Sequence, residues 1–552
     1  MVTALTSIRS VPVSRRRGAP AGARPVRSRC AGGHQALSSV QNGNEIPGIT
    51  LATPIGERIA AMSTLFIDGR WVAASAGATR QVINPYDRSV VREVDEADTI
   101  DARTAVAAAR AAFEDGEWPG WPARRRSALL YRVAELLQRD RAEIARLETL
   151  DTGKTLVEGG IDVDDVTGVF RYYATQAESD PGRLVDAGDP SVRSRVIYEP
   201  LGVCALIAPW NYPLLQMCWK VAPALAAGNT IVLKPSESTP LTTIKLTELI
   251  EEAGAPPGVA NLVLGPGGTV GSFLVDSPEV DMVSFTGGLE TGSAIMSQAA
   301  RTVKKVALEL GGKNPNLVFA DADFEAAIDY ALIAVFFHAG QVCSAGTRLV
   351  VEDSLHDRFV AELVRRAERI RLGNGLDPDT ESGPLVSAEH RDKVESYVEI
   401  GINEGARLLT GGRRPDDPRL QDGFFFLPTV FDDCTSDMRV VREETFGPIL
   451  TVERFTDADV DTAVRIGNDT TYGLAAAVWT ADAGRAEYVA RRLRHGTVWI
   501  NDFGPYLPQA EWGGFKRSGV GRELGHAGLA EYQEPKHIYE NTAPEPQRWF
   551  AR

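Results

Sequence analysis

The chain has 552 residues, 43% of them apolar and 24% charged, which is the usage of a soluble globular protein with length for roughly two to four domains and large cores. Acids outnumber bases 74 to 59, and the net charge of −15 speaks against a nucleic-acid partner, because an acidic body repels phosphate backbones. Five scattered cysteines without any Cys-x-x-Cys spacing suggest neither a metal site nor a disulfide framework and fit a reducing, cytoplasmic compartment.

In chain order, residues 1–61 hold eight Arg against Glu45 and Glu57, which leaves −21 on the other 491 residues. They read as a disordered basic extension, either a leader of organellar type or a start assigned too early, since Met62 directly precedes a strand-like run at 64–71. Residues 101–150 are expected to be helical. Residues 200–219 carry no charge and match a membrane span in length, but Pro209, Asn211 and Pro213 interrupt them. A buried strand at 203–208, a sharp turn and a helix account for the run, so no membrane partner is expected.

Apolar runs at 203–208, 230–233, 261–264 and 282–285 alternate with helix-like segments such as 241–253. This is the pattern of βαβ units and a parallel sheet whose strand carboxyl ends bind ligands. Helices at 324–339 and 354–372 around a strand at 348–352 predict a second α/β unit.

Three residues carry candidate chemistry. Cys343 follows an apparent helix within Gly-Gln-Val-Cys-Ser-Ala-Gly, where small neighbours leave sulfur approachable; a buried, inert Cys is the plainer alternative. Glu309 lies between Leu308 and Leu310 before a Gly-Gly turn, so desolvation should raise its pKa toward general-base work; a surface-facing strand Glu is the alternative. Asn211 sits in the turn after the first parallel strand, where its amide could meet an oxyanion or serve only the turn.

Together these residues fall within motifs that resemble the aldehyde dehydrogenase superfamily from about Met62 to the C-terminus. The motifs are Pro-Trp-Asn-Tyr-Pro (209–213), Lys-Pro-Ser-Glu (234–237), Phe-Thr-Gly (285–287), Leu-Glu-Leu-Gly-Gly-Lys (308–313), Gly-Gln-Val-Cys (340–343), Glu-Thr-Phe-Gly-Pro (444–448) and Trp-Gly-Gly-Phe-Lys-Arg-Ser-Gly (512–519). The resemblance implies Cys343 as nucleophile, Glu309 as general base, and Asn211 with the Cys343 backbone N–H as oxyanion hole. It further implies an α/β aldehyde dehydrogenase-like fold. A Rossmann-like NAD domain would take 62–180 and 198–311, an α/β catalytic domain 312–520, and a small oligomerisation element 181–197 with 521–552, in a homodimer or homotetramer.

The cofactor implied is NAD, held by Pro209, Trp210, Lys234, Glu237, Gly271, Gly287, Gly288, Gly292, Leu310, Glu444 and Phe446. Glu237 follows the second strand, where its charge suits two ribose hydroxyls and repels a 2′-phosphate. Gly288 stands where many relatives have Ser, so a phosphate contact is expected to be missing. Carrying over the aldehyde tunnel of the betaine aldehyde dehydrogenases, the group most resembled, gives Tyr212, Trp219, Phe337 and Trp512. Such aromatics could form a cage for a quaternary ammonium group or simply an apolar wall. Glu511 replaces a Pro common in relatives and could face either tunnel or solvent. An aminoaldehyde substrate and a non-catalytic binding role are the rival readings.

Overall fold

In the computed structural model, which describes residues 63–179, 182–456 and 459–550, the run at 64–71 forms a hairpin rather than one strand. Leu65–Ile67 and Arg70–Val72 pair antiparallel across Asp68 and Gly69, both left-handed at φ 52° and 72°, the two-residue turn that matches strand twist. The basic stretch at 1–61 lies outside the described residues.

The expected helical region resolves into Thr99–Glu114, Ala123–Arg139 and Arg141–Thr152, and helix continues beyond it through Leu156–Ser179. Sequence reasoning missed this last helix because it lacks a clean polar face. Glu158 and Asp162 are turned inward, and Gly159 is needed for packing, since a Cβ there would lie 2.8 Å from the Ala145 carbonyl oxygen.

Five parallel strands form the centre of an eight-stranded sheet: Val203–Ile207, Thr230–Lys234, Ala260–Leu262, Met282–Thr286 and Lys305–Glu309. Their spatial order is fifth, fourth, first, second, third. The first four are buried at every residue, as expected of parallel strands covered on both faces. The order reverses between the first and fourth strands, and a crevice opens at such a switch point, beyond the carboxyl ends. The N-terminal hairpin extends the sheet at the third strand, and Gly519–Val520 pairs antiparallel with the fifth.

A second, seven-stranded sheet runs Arg407–Thr410, Thr429–Asp432, Ile449–Phe455, Arg348–Glu352, Pro315–Val318, Ala475–Trp479 and Thr497–Ile500. A third joins Gln533–Asn541, Val192–Pro200 and Arg183–Val185. The uncharged run resolves as the first parallel strand, a turn, and helix Pro213–Ala227 with Pro213 in its first turn, where a missing N–H costs nothing. Among the described residues no helix is long and apolar enough to cross a membrane. The helix expected over 324–339 stops at Phe336, because His338 and Ala339 turn left-handed.

Candidate active site

The carboxyl ends of the parallel strands open onto a cavity of about 480 Å³, the size of a ligand pocket. Its walls include Pro209, Trp210 and Asn211 after the first strand, Lys234 and Glu237 after the second, Gly287 and Gly288 after the fourth, and Glu309 and Leu310 at the fifth. Cys343, Glu444 and Phe446 reach it from the other α/β unit. Gly271 and Gly292 do not line it. Gly292 instead lets helix Leu289–Ala299 pack closely, since a Cβ there would come within 2.4 Å of Leu310 Cδ2.

Cys343 lies three residues beyond a left-handed turn formed by His338, Ala339 and Gly340, at φ 47°, 52° and 74°. Non-glycine residues adopt this conformation at a cost of roughly 1–3 kcal/mol each, so the surroundings must impose it. Asn314 fixes the segment beyond the sulfur by donating to the Cys343 and Ala345 carbonyls, both at 2.9 Å. Burial, and then the charges of Glu444 and Glu309, push the thiol up to about 12, opposed by the N–H groups of Ser344 and Cys343. At neutral pH the sulfur therefore rests as a thiol.

Asn211 is buried, and its Nδ2 donates to the Gln341 carbonyl at 2.8 Å. One amide proton is thus used to orient the group and the second remains for a ligand. Glu309 is raised well above the ordinary carboxyl range by burial and by the like charge of Glu523, against Lys220 and Arg522. Its Oε2 is buried with no hydrogen-bond partner among the described residues. Lys220, an ammonium at the end of the uncharged run, pairs with Glu523 and donates to Thr286 at 2.7 Å.

Elsewhere on the cavity wall, Lys234 and Glu237 pair at 3.3 Å. Burial acts to raise the Glu237 carboxyl, but the Lys234 charge and hydrogen bonds hold it below its usual value. Gly288 is the N-cap of helix Leu289–Ala299, without a capping side chain, and a Cβ there would meet nothing within 4 Å. Glu444 accepts from the Gly312 N–H at 2.9 Å, and burial raises its carboxyl to about 7. Phe446 is itself left-handed at φ 59°, and its carbonyl meets His390 Nε2 at 2.7 Å.

Of the four proposed aromatics, three fall into two sets of ring contacts. Trp219 and Trp512 lie 6.3 Å apart, each packed edge-on against Tyr506, at 5.3 and 4.8 Å. Tyr212 instead meets His338 at 5.5 Å, and the Lys154 ammonium stands 4.1 Å from its ring centre. Phe337 makes none of these ring contacts. Glu511 is exposed and accepts from the Ala527 N–H at 3.4 Å, so its carboxylate serves the start of helix Gly525–Ala530.

Sequence reasoning missed Tyr506, Lys220, Glu523, His390 and the acids of helix Leu156–Ser179. Tyr506 shares a 2.7 Å hydrogen bond with Ser344, next to Cys343. Its phenol is raised by burial and then by Cys343, Asp165 and Asp162, against the Ser344 bond. Burial, and next the neighbouring Asp164, bring the Asp165 carboxyl to about 7. The available signals were a lone Lys in an otherwise uncharged stretch and an acid triplet on one helix.

Residues 71–538 match the model of the aldehyde dehydrogenase family. The betaine aldehyde dehydrogenase of Bacillus subtilis is 60% identical over 88% of this chain and 99% of its own length. An aldehyde dehydrogenase of Emericella nidulans is 43% identical over 90% of this chain and 97% of its own. Among solved structures, a betaine aldehyde dehydrogenase from Staphylococcus aureus in complex with NAD+ superposes with a TM-score of 0.88 at 52% identity, covering 90% of this chain and 98% of that one.

Proposed function

Because the chain belongs to the aldehyde dehydrogenase family, we propose that it oxidises betaine aldehyde to glycine betaine with NAD, using Cys343 as nucleophile, Glu309 as general base and Asn211 as oxyanion donor. The observation that carries the reading is the convergence of all three on one cavity. The cavity fits the dinucleotide. Glu237 offers an acceptor for a ribose, and the uncapped helix start at Gly288 offers N–H groups for a pyrophosphate. Leu310, Glu444 and Phe446 would hold the nicotinamide half beside Cys343. Bound there, NAD supplies the hydride acceptor.

The chain's own residues do the rest. The Cys343 thiol releases its proton to water as sulfur adds to the aldehyde carbon, and the charge that develops on oxygen is met by the free Asn211 amide proton and the Cys343 N–H. One such donor is worth about 10²- to 10³-fold in rate. Loss of hydride from that carbon leaves a thioester on Cys343. Glu309 then takes a proton from water as the water attacks the thioester carbonyl, and the acid departs as sulfur regains its proton. This base makes a free acid the product.

Tyr506, packed against Trp219 and Trp512 and bonded to Ser344 beside Cys343, presents ring faces and edges near sulfur, and Asp165 places negative charge near them. This combination favours a cationic head group over an aliphatic tail. The eight-, seven- and three-stranded sheets support a division into a cofactor-binding part (62–180, 198–311), a catalytic part (312–520) and an oligomerisation element (181–197, 521–552), except that Gly519–Val520 joins the first sheet and Val192–Pro200 runs past 197. The exposed Leu184 and Tyr539 of the third sheet suit pairing with a second copy. A homo-oligomer acting on choline-derived aldehyde in the cytoplasm completes the proposal.

The test compares kcat/KM for betaine aldehyde, 4-aminobutyraldehyde and hexanal by absorbance of the reduced cofactor. A clear preference for hexanal would refute the cationic substrate. Cys343→Ala should lose all turnover while still binding NAD; residual turnover would remove Cys343 from its role.

A further inference from the structure

We propose that Glu158 is a positioning residue for the nucleophile: its carboxylate pins the left-handed turn at 338–340, from which Cys343 and the anchor of Asn211 both hang. The inference rests on the reading of Cys343 as nucleophile.

Glu158 begins the helix Leu156–Ser179, 180 positions from the turn in sequence, and is 3% exposed. One oxygen accepts the His338 N–H at 2.6 Å and the other accepts the Thr155 N–H at 2.6 Å. Thr155 Oγ1 in turn accepts the Glu158 N–H at 3.2 Å, so the acid belongs to a capping box. Capping requires only one of its oxygens. The second reaches the first left-handed residue of the strained turn, whose amide would otherwise be buried without a partner. On its far side the turn is wedged against the loop of Glu444 and Phe446, since a Cβ at Gly340 would lie 2.2 Å from the Gly447 carbonyl oxygen.

The next residue passes the geometry on. The Gln341 side chain donates to the His338 and Pro384 carbonyls at 3.1 and 3.3 Å and accepts from the Val386 N–H at 2.9 Å. Its backbone carbonyl holds the Asn211 amide at 2.8 Å. If the turn relaxes, the Gln341 carbonyl and the Cys343 N–H move together, and both donors of the oxyanion hole lose register. Two N–H groups converge on Glu158, which calls for an acceptor-only side chain; a glutamine would set its NH2 against one of them.

The experiment measures the pre-steady-state burst of reduced cofactor, Cys343 alkylation by iodoacetamide quantified by mass spectrometry, NAD affinity and Tm. Glu158→Gln should slow the burst about 10- to 100-fold, the range expected for misplaced reacting groups, and change alkylation, with NAD affinity unchanged. Thr155→Val removes the capping hydroxyl without touching the His338 bond and should keep the wild-type burst. Adding Ala339→Gly, which relieves a left-handed alanine, should restore part of the burst to the Glu158→Gln protein. Glu158→Asp, too short to reach His338, substitutes if the amide variant does not fold. A wild-type burst in Glu158→Gln, an equal loss in Thr155→Val, or no recovery with Ala339→Gly would overturn the proposal. Absence of a burst in the wild-type enzyme would instead strike at the role of Cys343.

Discussion

Replacing Glu309 by Gln separates the two halves of the reaction. The substitution is nearly isosteric, and the oxyanion donors do not depend on Glu309, since Asn211 is held by Gln341. Acyl-enzyme formation should therefore proceed at the wild-type rate and to the wild-type burst amplitude. Hydrolysis should not. The unpartnered Oε2 is the atom placed to take a proton from water, and losing a general base of this kind costs about 10²- to 10⁴-fold. The steady-state rate should fall by that factor after an undiminished burst.

The pH dependence gives a second reading of the same residue. Glu309 works only when ionised, and burial with Glu523 holds its pKa above the usual value. The wild-type steady rate should thus rise with pH through that elevated midpoint, and the Gln variant should lose this limb. Glu523→Gln removes the like charge and should move the limb to lower pH. Stopped-flow absorbance of the reduced cofactor across a pH series measures all three. Equal loss of burst and steady rate in Glu309→Gln, or survival of the pH limb, would refute the assignment.

Asp165→Asn should lower kcat/KM for betaine aldehyde relative to hexanal by roughly 3- to 10-fold. Since its carboxyl titrates near 7, the wild-type preference should strengthen as pH rises through 7 and the variant's should not. Glu237→Gln removes the charge that a 2′-phosphate would meet, and should raise kcat/KM with NADP relative to NAD, read from cofactor titrations. Glu444→Gln should speed iodoacetamide capture of Cys343 several-fold, because one of the two carboxylates that hold the thiol up is lost; each pKa unit is tenfold in thiolate. The effect should vanish below about pH 7, where Glu444 is itself protonated.

The parallel strands were legible because burial on both faces leaves near-continuous apolar runs, and the prolines at 209 and 213 marked where the chain turns. The gathering of Cys343, Glu309 and Asn211 at one cavity was legible through motif chemistry. Less visible was anything that depends on charge buried inside helices. Leu156–Ser179 hides its periodicity because Glu158 and Asp162 face inward, so the helix carries acids on both its buried and exposed sides. The end of the helix at Phe336 was missed for a related reason. No glycine or proline stands at the left-handed positions His338 and Ala339, and the carboxylate that accepts the His338 N–H lies 180 residues away. Motif positions indicate which rings approach the site but not which pack together, and Tyr506, which packs on Trp219 and Trp512, belongs to no motif that was singled out.

Two buried charge networks back the cavity, Lys220 with Glu523 behind Glu309, and Lys154 with Glu148 and Asp162 behind Tyr212. Buried ion pairs are weak sources of stability, because desolvation offsets attraction, so their meaning lies in what they do to neighbours. Glu523 makes Glu309 a stronger base. Lys154 offsets the charge of Glu148 and Asp162 and brings its ammonium to the Tyr212 ring. Burial, and after it Glu444 and Glu309, oppose the first step by holding Cys343 as a thiol. Geometry separates the two demands. The N–H groups of Cys343 and Ser344 act on the sulfur to favour its anion, while the unpaired oxygen of Glu309 faces away from any protein donor. A cavity rich in acids can therefore host both an anionic nucleophile and an anionic base only if the turn that aims the N–H groups is held rigidly, which places the burden of the chemistry on the backbone at 338–343.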